Sequence, residues 1–275
     1  VTLNDQIAWA AGTGGKIVRS DDGGKTWVRQ NTPTFNNLQG IAAWDAQTAV
    51  VAGNAGLILY TADGGANWKV ANTPKSENPN KLFRVRVFGD TAWAVGEFAG
   101  LFKSDDKGAT CTRAVPESDL GYNSVYFVGQ HGWVVGESGT ILRSEDGGAN
   151  WVPVVTENKS SLMSVTFRDE HHGVAVGLTG ALLTTADGGL TWKSIPDLTQ
   201  EHFLDIIWDG NAWVAVGDKG VMATSDAEAS AWKVSRMPQG DVAWRTQIAK
   251  VGSHYLLAGA NLAILEGDKL TVIGR

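Results

Sequence analysis

Short apolar runs closing on glycine recur along this chain at near-constant spacing. They are Trp9-Ala10-Ala11-Gly12, Val50-Val51-Ala52-Gly53, Trp93-Ala94-Val95-Gly96, Trp133-Val134-Val135-Gly136, Val174-Ala175-Val176-Gly177, Trp213-Val214-Ala215-Val216-Gly217 and Leu256-Leu257-Ala258-Gly259. Each predicts a strand, B. A stretch of period-2 alternation precedes it as strand A, as in Leu162-Met163-Ser164-Val165-Thr166-Phe167. A Gly-x-x-Gly turn follows, as at Gly136-Glu137-Ser138-Gly139, and then strand C, as in Thr140-Ile141-Leu142-Arg143-Ser144.

A polar hairpin separates strand C from strand D. Its pattern is Ser/Thr, any, Asp, any, Gly, any, Thr/Asn, Trp. It reads Ser20, Asp22, Gly24, Trp27 in the first unit and Thr61, Asp63, Gly65, Trp68 in the second. It returns at Ser144, Asp146, Gly148, Trp151 and at Thr185, Asp187, Gly189, Trp192. The third copy, Ser104, Asp106, Gly108, closes on Cys111 in place of Trp. A sixth, Thr224 to Trp232, is one residue longer between Asp226 and Trp232. The closing positions step by 41, 43, 40, 41 and 40 residues. The seventh apolar run has no such hairpin.

This periodicity predicts an all-β fold, a seven-bladed β-propeller of four-stranded antiparallel blades in one domain, 1–275. The blades fall near 1–34, 35–78, 79–118, 119–158, 159–199, 200–239 and 240–275. Pro33, Pro74, Pro116, Pro153, Pro196 and Pro238 sit in the D-to-A linkers, which owe no ladder hydrogen bond. Val1-Thr2-Leu3 reads as the end of a strand A. Lys269–Ile273 reads as an outer strand, and the two are expected to share one sheet. The Asp side chains are expected to brace their own turns, with the closing Trp packed between sheets.

Net charge is −6 and no Lys/Arg-rich block occurs, which argues against nucleic acid as a partner. A single cysteine excludes an internal disulfide. No apolar run approaches the ~20 residues of a spanning helix. One regularly spaced Asp per turn is too few ligands for calcium, so neither metal nor cofactor is expected. His131, His171, His172 and His254 fall in A-to-B connections on different blades, a poor geometry for one metal.

The hairpin is the Asp-box, or bacterial neuraminidase repeat. The fuller unit from Leu162 to Trp192, with Ser164-Val165-Thr166-Phe167-Arg168-Asp169, Gly173-Val174-Ala175-Val176-Gly177 and Gly180-Ala181-Leu182-Leu183-Thr184-Thr185, resembles the photosystem II stability/assembly factor family over essentially the whole chain. The resemblance implies a non-enzymatic propeller, exported to a periplasm or thylakoid lumen, that assists assembly of a membrane complex. It implies a protein partner, a membrane-protein client met through an arginine-rich patch, and a monomer that does not itself span the membrane. Cys111, the altered sixth box and the missing seventh depart from the pattern.

The alternative is a sialidase-like Asp-box glycosidase or a carbohydrate-binding protein. It needs an arginine cluster and a Tyr/Glu pair. Tyr60, Tyr122, Tyr126 and Tyr255 offer no convincing nucleophile, and no Arg-Ile-Pro-like start precedes the boxes. Alternation along strand A turns Arg84, Arg86, Tyr126 and Asp205 toward a central channel, and Arg245 is expected to join them. These five are the candidate binding residues, for a carboxylate or an acidic segment. The rival expectation is a wet channel in which Arg84 or Arg245 pairs with Asp205. The face opposite the boxes, with its B-to-C turns and long linkers 71–81, 113–121 and 235–243, is the expected partner surface.

Overall fold

The computed structural model describes residues 1–76 and 80–274. The linker 71–81 and the blade boundary at 78/79 therefore include positions outside the described residues, as does Arg275. Seven antiparallel sheets follow one another in chain order, six with four strands and one with three, and the fold is a seven-bladed β-propeller. No α-helix occurs among the described residues. The chain groups into two compact units, Val1–Val125 and Tyr126–Arg275.

The fifth blade shows the plan. Strand A is Leu162–Phe167, B is Gly173–Gly177, C is Leu182–Thr185 and D is Lys193–Ser194. B is buried along its whole length because both faces meet neighbouring sheets. D begins one residue after the closing Trp in most blades. The first blade holds B, C and D at Ala8–Ala11, Ile17–Ser20 and Val28–Gln30. A single bridge from Thr2 to Ala8 stands where its strand A would lie. The C-terminal strand, Lys269–Gly274, pairs with Leu262–Glu266 in the seventh sheet. The two chain ends thus lie in separate sheets rather than one.

In the second, third, fifth, sixth and seventh blades strand B ends on a glycine where another backbone comes too close for a Cβ. A Cβ on Gly217 would stand 1.8 Å from the His202 carbonyl oxygen, and one on Gly177 would stand 2.1 Å from that of Ser161. The same carbonyls accept the N–H of the residue after the glycine, Asp218 and Leu178, at 3.0 and 2.9 Å. The linker into each blade is thereby pinned to the turn that follows strand B.

The polar hairpins brace themselves. The Ser20 hydroxyl donates to Asp22 Oδ1 and accepts the Gly24 N–H, and Asp22 accepts the Thr26 N–H and hydroxyl. Copies two to five repeat this pattern, with Asn67 and Asn150 in the Thr26 position. Gly24 has φ of 87°, which a side chain would strain. The sixth copy is rebuilt: Ser225, not Thr224, holds the Ser position, and its hydroxyl donates to the Ala231 carbonyl.

The closing tryptophans are only part of the core. Trp27, Trp151, Trp192 and Trp232 are half-buried, and Trp27, Trp151 and Trp232 donate to carbonyls of their own hairpins. The fully buried indoles are those of strand B: Trp9, Trp93, Trp133 and Trp213. Trp133 stacks on Phe167 of the next blade at 3.5 Å and 13°, and donates to the Gly188 carbonyl.

Candidate functional site

Each blade has two working ends. One carries the Asp turns and the A-to-B turns. The other carries the B-to-C turns and the D-to-A linkers. Between them runs strand A, where the sequence placed its five candidate residues. A bulge near the start of strand A recurs, between Leu82 and Arg84, Leu162 and Ser164, Phe203 and Asp205, and Arg245 and Gln247.

That bulge decides Arg245. Paired with Gly259, it occupies the position of Leu38, Leu82, Leu162 and Phe203, each paired with its own strand-B glycine. Those residues are apolar anchors, and Arg245 is likewise 0% exposed. Its guanidinium donates to Asp241 Oδ2 at 2.6 Å and to the carbonyl and side-chain oxygens of Asn261. It clamps the linker Asp241–Arg245. For Arg245, the expected channel position and the expected part in a pairing with Asp205 give way to this arrangement, because the register shift precedes the alternating segment.

Asp205 is also buried. One carboxylate oxygen accepts the Ser164 hydroxyl at 2.7 Å and the other accepts the Ile248 N–H at 3.0 Å. It thus ties strand A of the sixth blade to those of the fifth and seventh. Thr166 adds a bond to the Ile206 carbonyl in the same layer. Tyr126 is half-buried and its ring lies 6.4 Å from that of Phe167, in the packing between the fourth and fifth blades. In the other unit Arg84 is buried and Arg86 half-buried; neither is without a partner. Of the five, only Arg86 and Tyr126 keep partial exposure.

The tyrosines do not resemble an activated nucleophile. Tyr255 donates to Asp209 Oδ2, and burial together with that carboxylate pushes its hydroxyl well above the usual phenol range. Tyr122 is raised by burial. Burial also pushes the Cys111 thiol up to about 11, which leaves no thiolate nucleophile at neutral pH. No group of three or more metal-binding side chains occurs among the described residues. His172 Nδ1 meets both carboxylate oxygens of Asp169 at 2.9 Å, within one turn. No helix among the described residues is long and apolar enough to cross a membrane.

One feature of the linker end lies outside the repeat pattern. Several large apolar side chains stand exposed on D-to-A linkers: Phe35 (90%) in the first unit, and Val155 (94%), Val242 and Trp244 (49%) in the second. Their signal was legible as large apolar residues inside loops that carry Pro, Gly and Asp. Trp244 sits on a preset loop, since its carbonyl accepts the Ala260 N–H and the next residue is the clamped Arg245.

The fold defines the class: a β-propeller built from one repeated blade. A family model described as "Photosynthesis system II assembly factor YCF48" matches residues 30–120, and the chain resembles that family. Among solved structures it is similar to YCF48 bound to D1 peptide, at 16% identity over 97% of this chain and 90% of that one, with a TM-score of 0.78. It is similar to YCF48 from Cyanidioschyzon merolae at 18% identity, covering 96% and 92%, with a TM-score of 0.75. It is also similar to the GH74 xyloglucanase from Xanthomonas campestris at 16% identity and a TM-score of 0.79, but spans 54% of that chain. At such identities these likenesses show the fold. No curated protein matches the chain.

Proposed function

We propose that this chain is a non-enzymatic binding propeller of the assembly-factor kind, exported from the cytoplasm, which holds a segment of a membrane-protein client on its linker face. The family match over residues 30–120 carries the reading, and the similarity to a YCF48 structure bound to a peptide supports it. In the second unit, exposed Val155, Val242 and Trp244 on the linkers supply apolar anchors. Large apolar side chains held out by pinned linkers keep an ordering cost low on binding.

Capture from detergent-solubilised membranes of the source organism tests this. The intact chain is expected to retain a membrane protein that a Trp244→Ser/Val242→Ser variant, folded by circular dichroism, loses. The raised Tyr122 and Tyr255 hydroxyls count against the sialidase-like alternative. Turnover of fluorogenic sialosides or xyloglucan by the pure chain would sink the non-enzymatic reading.

A further inference from the structure

The cleft between the fifth and sixth blades differs from those that follow the first, third and fourth blades. In the first, third and fourth blades, the B and C strands set a Trp opposite a cation: Trp9 with Arg19, Trp93 with Lys103, Trp133 with Arg143. That cation pairs with an acid two residues on, as Arg19–Asp21, Lys103–Asp105 and Arg143–Glu145. Arg19 and Arg143 then reach into the next blade and donate to the Gly64 and Gly188 carbonyls. These side chains fill the clefts they face.

The fifth blade carries none of the three; the second also lacks them, but there Tyr60 stands opposite Val50. Val174 pairs with Thr184 where the others pair Trp with a cation, and Ala186 stands where the acid would be. The carbonyl at the far wall, that of Ala227, is served instead by Arg168 and by Trp213 of the sixth blade. A cavity of about 340 Å³ remains, lined by Thr184, Ala186, Lys193, Trp213 and Glu228 among others.

Its polar groups carry both signs. Lys193, opposite Thr184 in register, belongs to the fifth-blade wall. It makes no ion pair with any described residue. Glu228 belongs to the sixth-blade wall and stands where four of the other hairpins carry glycine. One of its oxygens accepts from Arg168 at 3.0 Å. The Thr184 hydroxyl is unbonded among the described residues. Asp187, also lining the cavity, is occupied: it accepts the Thr185 and Thr191 hydroxyls and the Thr191 N–H. His172, on the same wall, is held by Asp169. Lys193 and Asp187 belong to the fifth-blade wall, with the Arg168–Asp169 pair nearby, and Glu228 belongs to the sixth, so both signs border the cavity and no single sign dominates to hold a simple anion or cation.

We propose that this cavity is a binding site for a small zwitterion, a free α-amino acid. The carboxylate would lie at Lys193 and Thr184 and the ammonium at the open oxygen of Glu228, with the Cα substituent toward Trp213 and Ala229. Opposite charges on facing walls suit a dipolar ligand, since each end meets a charge-assisted hydrogen bond.

Isothermal titration of the full chain with glycine and glutamine, their N-acetyl and amide derivatives, and glucose tests the site. Saturable binding of the free amino acids is expected, with the acetylated and amidated forms at least about tenfold weaker. Lys193→Gln and Glu228→Gln should each weaken binding about tenfold without lowering Tm, since both side chains are exposed. Thr184→Arg with Ala186→Glu rebuilds the fourth-blade pair; this variant should fold and bind none of them. No saturable binding by any probe would overturn the proposal. So would glucose or a capped form binding as well as the free amino acid, or unchanged affinity in both charge variants.

Discussion

Single carboxylates show how the repeat uses charge without chemistry. The Asp22 carboxyl is held at about 2, first by the Thr26 hydroxyl and N–H, and Asp146 at about 2 by the Asn150 N–H and side chain. The unfolded chain, with carboxyls near 3.9, binds more protons in the interval between. Stability from these groups is therefore complete above about pH 4 and is lost as pH falls toward 2. Melting temperature against pH should show that slope, flattened in an Asp22→Asn/Asp63→Asn/Asp146→Asn variant; identical slopes would exclude the bracing role. Arg245 is the opposite case, a charge in an apolar anchor position. Arg245→Ala strands Asp241 and should cost about 3–5 kcal/mol in urea unfolding. Arg245→Leu with Asp241→Asn restores the residue type of the sister blades and should come out near neutral or stabilising.

At the scale of the element, the glycine closing strand B and the linker arriving beside it form one unit. Gly217 has a carbonyl 1.8 Å from where a Cβ would stand, whereas a Cβ on Gly12 meets nothing within 4 Å. Gly217→Ala should cost about 1–3 kcal/mol or more, while Gly12→Ala stays close to wild type; both are read from Tm. Equal melting would mean the linkers adjust freely. Strand identity and the Asp turns were legible because alternation, glycine spacing and turn residues are local signals. The bulge in strand A was not, because it depends on how the linker enters the blade. It moved Arg245 from an expected channel position into the core. The order of importance among the tryptophans was also hidden: both sets carry the same residue, and only packing shows that strand B holds the fully buried ones, while of the closing set only Trp68 is buried.

For the whole molecule, composition argued against nucleic acid and the family resemblance implied a binding protein, and the comparisons find a propeller resembling assembly factors. The structure shifts the weight of the candidate surface. Asp205 and Arg245 are engaged in holding strands and linkers, and the exposed groups are apolar side chains on the linker face. If those anchors dominate, client retention should persist in 0.5 M salt, because hydrophobic contacts are not screened while surface charge pairs are. Elution of the client by salt alone would return the weight to Arg84 and Arg86.

Blade number, strand order and the bracing of each hairpin follow from the linear chain, because each is written within about forty neighbouring residues and repeated. Which guanidinium is buried, which linker side chain stands out, and which interblade cleft is left unfilled depend on residues one blade apart. Those outcomes are set by steric fit between sheets, and a missing Trp or Arg becomes a cavity only when the facing wall is in place.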